Sequence, residues 1–184
     1  CRAKLETGQR IHSECIAPWA DAQAEKAKRA DAKAARMAAK AERASIKARK
    51  EAIKTIAQLI ADAQIVFNAF IRERDKGKGC FVCGRPFTNK PGQVQHAGHV
   101  RSRGAAGHLR FNEDNCHGEC EGCNGPHGAK PHQIEAGAIA RIGAERYAEL
   151  CADNTPHKWQ RDELIAIKRE YRAKLKDIQK GETC

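Results

Sequence analysis

Two cysteine pairs offer the clearest chemistry in this chain. Cys80 and Cys83 lie in CFVCG, and Cys120 and Cys123 lie in CEGCNG. A CxxC on a tight turn presents two sulfurs to one metal, and two such knuckles make a tetrahedral four-thiolate site for zinc. Four sulfurs close the coordination sphere, so this zinc is expected to be structural and to stand in for missing hydrophobic core. The 36 residues between the knuckles exceed what a simple zinc ribbon needs and leave room for a functional loop. That loop carries His96, His99, Arg101, Arg103, Arg110, Asn115 and His117, and Asn124 directly follows the last cysteine. Fifteen residues separate His99 from Asn115, and eight separate Asn115 from Asn124.

A neutral histidine can take a proton from water near pH 7, and an asparagine offers a hard oxygen to a divalent cation. Arginines can pair bidentately with phosphate, so Arg101, Arg103 and Arg110 are candidates for DNA contact, and His117 is a candidate either for phosphate or for packing beside the zinc. Arg72, Arg74 and Lys76 are expected to extend the basic surface. Aromatic residues do not interleave with these cations, so recognition by base stacking is disfavoured and readout through shape and phosphate position is expected. Cys1, His12 and Cys15 form a second cluster that resembles half of a further zinc site; otherwise the tip is an unstructured terminus.

The histidine–asparagine–asparagine order resembles the HNH, or His-Me finger, nucleases, in which a β-hairpin and a helix hold one divalent metal. The resemblance implies His99 as general base, Asn115 as the central residue that orients it or fixes the loop, and Asn124 on the metal side. The order of several stretches narrows the likeness. FNAFIRERD (67–75), CFVCG, AGH (97–99), LRFNEDN (109–115), HGEC with EGCN (117–124), ARIG (140–143) and KREYRAKLKD (168–177) resemble the phage NinG/Rap recombination proteins. That family implies a structure-selective endonuclease for branched DNA such as Holliday junctions and D-loops, with structural Zn²⁺ and catalytic Mg²⁺ or Mn²⁺. It also implies a homodimer, further recombination proteins as partners, and a phage or prophage protein working in the host cytoplasm. Two departures stand out. His96 occupies the place of the family's acidic residue, a softer ligand that suits Mn²⁺, Ni²⁺ or Zn²⁺ better than Mg²⁺. His127 follows a changed segment after Asn124 and is a further candidate ligand.

The supporting elements follow from patterning. The chain has 184 residues, a net charge of +11, and only 5% aromatic against 31% charged residues, too little apolar bulk for a uniform core. The charge favours a polyanionic partner, and no apolar run reaches the roughly 18 residues of a membrane span. A reducing compartment is expected from the CxxC spacing, and Cys1 in place of Met suggests that the natural start lies upstream. Three segments are expected: a possible zinc-binding tip over 1–19, an Ala/Lys/Arg-rich helix or arm over 20–54, and a zinc-stapled HNH-like domain over 55–180. Residues 20–54 hold eleven Lys/Arg against five Asp/Glu and lack a large apolar heptad, which reads as a solvated helix, a basic arm on nucleic acid, or a weak dimerising helix. Residues 53–74 repeat apolar side chains at helical spacing, and 131–180 suggest three more helices with a break at 153–156. The fold class expected is mainly α with a small zinc-stapled ββα-metal core and a long N-terminal basic helix. The rival functions are a non-catalytic zinc-containing DNA-binding module and a recombination adaptor.

Overall fold

A computed structural model describes residues 4, 7–8, 10, 12–125 and 127–181. The chain divides into two compact units, Cys1–Lys54 and Thr55–Cys184. The first is dominated by one 40-residue helix, α1 (Ser13–Ala52), none of whose residues is buried. Alanine, lysine and arginine need no tertiary packing to favour the helical state, which is why a helix can run this far without an apolar seam. It starts at Ser13, so the expected tip and basic segment are continuous there. Within that tip, the His12 ring bonds the Lys4 carbonyl at 2.9 Å, and Cys1 lies outside the described residues.

The second unit is mainly helical with one two-stranded sheet. Helix α2 (Ile56–Asp75) begins three residues later than its apolar period suggests, because Thr55 and Gln58 form a reciprocal capping box at 3.3 and 2.9 Å. Ile53 is left outside it, 80% exposed. Strands β1 (Gln95–His99) and β2 (Cys116–Cys120) pair antiparallel, with His96 opposite Glu119 and His99 opposite Cys116. A one-turn helix, α3 (Glu121–Asn124), follows directly. Helices α4 (Pro131–Ile142) and α5 (Ala144–Ala152) meet at Gly143, whose φ of +87° a side chain would disfavour. Helix α6 (Arg161–Gln179) packs along α2.

The core lies between α2, α6 and the sheet. Phe67 is fully buried and meets Tyr171 and Phe111 edge-on at 4.7 and 5.7 Å. Trp159 meets Phe111 edge-on at 5.0 Å and donates its indole N–H to the Gly107 carbonyl at 3.1 Å. Asp75, at the end of α2, accepts the Gly118 N–H of β2 at 2.8 Å, while Arg74 spans Asp75 and the carbonyls of Glu113 and Cys116. Arg74, expected on a basic surface, therefore ties the sheet to α2.

Candidate metal centre and catalytic cavity

The first knuckle follows α2 after one turn. Gly79 adopts φ +69°, and a Cβ there would come within 2.8 Å of the Gly84 carbonyl oxygen, so the turn needs glycine. The Cys80 N–H donates to Arg85 O and the Gly84 N–H to Cys80 O, both at 2.9 Å, which closes the turn. The Phe81 N–H then binds the Gly118 carbonyl and pins the knuckle to β2. Cys120 ends β2 and Cys123 lies in α3, so the second pair comes from a strand–helix junction.

The four sulfurs lie within 4.8 Å of one another. The Cys83 and Cys120 sulfurs are 3.8 Å apart, and the Cys120 N–H points at the Cys80 sulfur from 3.4 Å. Burial pushes the Cys83 thiol up, but the Arg85 guanidinium at 3.4 Å and the Arg85 N–H outweigh it, leaving the thiol at about 6. Soft sulfur donors, converging N–H groups and a closed set of four suit structural zinc. Among the described residues this is the one cluster of three or more His, Cys, Asp or Glu side chains close enough to share an ion.

A separate cavity of about 380 Å³ opens beside the outer edge of β1. His96, Ala97 and His99 line it from β1, Asn68 and Arg72 from α2, Ser102 and Arg103 from the following loop, and Asn124 from the end of α3. The structure thus brings His96, His99, Arg103 and Asn124 to one place. The described lining contains no carboxylate.

His99 is well placed for proton transfer. Its Nε2–H donates to the Arg110 carbonyl at 3.0 Å, which selects the tautomer with Nδ1 as the unprotonated nitrogen. Nδ1 lies 3.8 Å from the Cys116 sulfur, whose thiol burial keeps protonated. Burial lowers the affinity of the His99 ring for a proton, and Arg103 and Arg110 lower it further, against the opposing Arg110 carbonyl. The ring is therefore neutral at pH 7.

Asn115 is fully buried and faces backbone rather than the cavity. Its Oδ1 accepts the Arg101 N–H at 2.8 Å, and its Nδ2 donates to the Arg101 and Leu109 carbonyls, both at 3.1 Å. It clamps the two ends of the loop that carries Ser102, Arg103 and the Arg110 carbonyl.

Three residues expected to contact DNA have different surroundings. The Arg101 guanidinium donates to the Leu150 carbonyl at 2.9 Å and to Asn154 Oδ1 at 2.7 Å, satisfying the carbonyl end of α5. His117 is 2% exposed, its Nε2–H donates to Asp114 O at 2.9 Å, and it lies beside Phe81 of the knuckle. Burial and then Arg74 bring its ring down to about 4. Arg110 points its guanidinium at Gln64 Oε1, 3.3 Å away, and serves the cavity through its carbonyl. His127 is exposed and does not line the cavity.

Asn68 and Ser102 line the cavity although sequence reasoning did not single them out. Asn68 sits four residues after Gln64, whose amide donates to it at 2.7 Å, and four before Arg72, and that i, i+4 polar spacing is the signal that was available. Glu119 was also missed. It is 4% exposed, and a Cβ on Gly98 would fall 1.8 Å from its Oε2, so its carboxyl lies across Gly98. Burial, then the neighbouring Cys83 thiolate, raises that carboxyl to about 7.

A family model described as "Bacteriophage Lambda NinG protein" matches residues 1–182. The protein ninG of Escherichia phage lambda is 43% identical over 121 residues, covering 65% of this chain and 56% of that protein. The protein ninG of Salmonella phage P22 is 41% identical over 119 residues, covering 65% and 57%. That of Escherichia phage 933W is 41% identical over 121 residues, with the same coverage of 65% and 57%. The chain thus spans little more than half the length of the curated relatives it matches. No solved structure matches it.

Proposed function

We propose a reading that proceeds from one premise: the chain belongs to the NinG family of phage proteins. In this reading it is a metal-dependent endodeoxyribonuclease that hydrolyses phosphodiesters in branched recombination intermediates, within the cytoplasm of the bacterial host. The observation that carries the proposal is His99, a neutral imidazole with one ring nitrogen fixed by a carbonyl, opening on a cavity shared with Arg103, Arg72, His96 and Asn124.

The proposed chemistry is in-line hydrolysis. Arg72 and Arg103 hold the non-bridging oxygens of the scissile phosphate. His99 Nδ1 takes a proton from a water as the water oxygen attacks phosphorus. The bond from phosphorus to the 3′ oxygen breaks, and the electron pair leaves with that oxygen. The Arg110 carbonyl keeps Nδ1 as the basic nitrogen while the ring becomes charged. His96 and Asn124 are the cavity donors that would hold a divalent cation, an incomplete set to which phosphate oxygens and water would add. Bound there, such an ion would neutralise the phosphate and stabilise the departing oxygen. The imidazole favours Mn²⁺ over Mg²⁺. In this reading β1, β2 and α3 serve as a ββα-metal unit, with the four-cysteine zinc fixing the end that carries Asn124.

Branched substrates and a homodimer follow from the family resemblance and from symmetry, since a four-way junction presents two equivalent strands. The test is cutting of a synthetic four-way junction and of linear duplex with Mg²⁺ or Mn²⁺. His99→Ala should abolish cutting and leave junction affinity within about twofold, because it removes a base and no charge. Undiminished cutting by that variant would remove His99 from the chemistry. The lack of a carboxylate in the described lining favours one alternative, a binding module without catalysis. Wild-type protein that binds junctions but never nicks them with either metal would establish that alternative.

A further inference from the structure

We infer that one face of α1 is a docking surface for the phosphate backbone of duplex DNA. This inference goes beyond the chemistry assigned to the cavity and rests on that reading only for the identity of the polyanion. Arg29, Lys33, Arg36, Lys40, Arg43 and Lys47 recur at alternating steps of four and three residues. At 100° per residue their side chains fall within an arc of about 80° and extend over about 27 Å of helix. The structure agrees with that wheel: the first five of them line one shallow concavity of about 580 Å³ along α1. Asp31 and Glu42, the acidic residues within this stretch, project from the opposite side of the wheel.

Six like charges in one row repel one another, and between residues 29 and 47 no acidic residue shares their arc; Glu25 and Glu51 flank its two ends. None of the six has a carboxylate within 4.0 Å among the described residues, while Lys28, off the row, pairs with Glu25 at 3.8 Å. An arrangement of this kind is relieved by an anion of matching length. B-DNA carries about one charge per 1.7 Å of axis, so about 27 Å of duplex presents roughly 16 phosphates. Other partners fit less well. A helical partner would need large apolar residues, and an anionic membrane surface would need a wide apolar face. The side opposite the cations carries alanines with Asp31 and Glu42. Single-stranded nucleic acid is held largely by stacking, and the one aromatic residue of α1, Trp19, lies ahead of the row.

The test compares two full-length variants that each lose two positive charges. Arg36→Gln with Lys40→Gln lies on the row; Lys28→Gln with Arg49→Gln lies off it. Glutamine is a good helix former, so helicity by circular dichroism should match wild type in both. Affinity for a 30-base-pair duplex is read by fluorescence anisotropy between 50 and 200 mM salt. Each lost phosphate contact removes about 0.9 from the slope of log K against log salt. The on-row pair should lower the slope by about 2 and weaken binding at least tenfold at 50 mM salt. The off-row pair should change the slope by less than about 0.5. Equal effects of the two pairs would overturn the inference, as would tighter binding of wild type to phosphatidylserine vesicles than to duplex at equal salt. Junction cutting is measured on the same samples. Wild-type cutting with equal slopes removes the docking face alone, and a row-specific slope change without cutting by wild type removes the nuclease reading alone.

Discussion

Asn115→Ala tests whether the central asparagine acts on the substrate or on the loop. The side chain is fully buried and makes three hydrogen bonds, one accepted from the Arg101 N–H and two donated to the Arg101 and Leu109 carbonyls. Truncation leaves the Arg101 N–H and carbonyl without these partners in a space that held an amide, while the Leu109 carbonyl keeps the Asn112 N–H at 3.1 Å. Each orphaned buried group costs about 1–3 kcal/mol. The losses share one loop and do not simply add, so we expect a destabilisation of about 3–4 kcal/mol. Asn115→Asp should do little better, because it keeps the acceptor for Arg101 but turns a second oxygen toward two carbonyls. The assay is urea unfolding with zinc in excess, read as the shift in midpoint at constant m. Cutting per folded molecule should fall far less than in His99→Ala, since Asn115 is a positioning residue. A shift below about 1 kcal/mol would refute the clamp, and so would a variant of wild-type stability that cuts nothing, because Asn115 would then act in the chemistry itself.

Two further outcomes concern protons. Because burial, Arg103 and Arg110 all lower the His99 ring in the free protein, the acid limb of kcat/KM for cutting should lie below the ordinary imidazole value of about 6.5. Arg103→Gln should move that limb upward while weakening substrate binding; a wild-type limb at or above 7 would contradict the assignment. Asp75 should govern acid stability: burial pushes its carboxyl up, but Arg74, the Gly118 N–H and Lys78 outweigh it and leave it at about 2. A folded value below the unfolded one of about 3.9 adds stability of about 2 kcal/mol that is complete above that pH and disappears as pH falls toward 2. Urea midpoints between pH 5 and 2 should therefore drop less steeply in Asp75→Asn than in wild type.

What was legible in the sequence was chemistry carried by short spacing. CxxC fixes two sulfurs within one turn whatever surrounds it, so Cys80, Cys83, Cys120 and Cys123 could be grouped before any fold was known, and they do converge. The helices after residue 131 were legible because their apolar residues repeat locally. Arg101 was not, because its acceptors at Leu150 and Asn154 lie about fifty residues away and nothing near Arg101 signals them. His117 was left between phosphate and packing beside the zinc for the same reason: only the β1–β2 register and the packing of Phe81 decide that it turns inward. The start of α2 is a different failure. Ile53 fits the apolar period, but it caps the end of α1, its N–H donating to the Arg49 carbonyl at 3.2 Å, and Thr55 with Gln58 sets the start of α2.

The electrostatics of the cavity link these parts. Arg72 and Arg103 line it, no carboxylate among the described residues does, and Arg103 lowers both Arg110 and His99. Crowding cations beside a histidine works against the fold by itself; the Asn115 clamp and the Arg101 anchor on α5 hold the loop in place against it. A phosphate entering the cavity cancels part of that field. The proton affinity of His99 must then rise toward neutrality when the phosphate is bound, and by reciprocity the protonated site must bind phosphate more tightly. In the proposed hydrolysis, a base most effective near its own pKa would therefore be brought closer to the working pH by its substrate, and the same ring, once charged by the attacking water's proton, would be stabilised by the phosphate beside it.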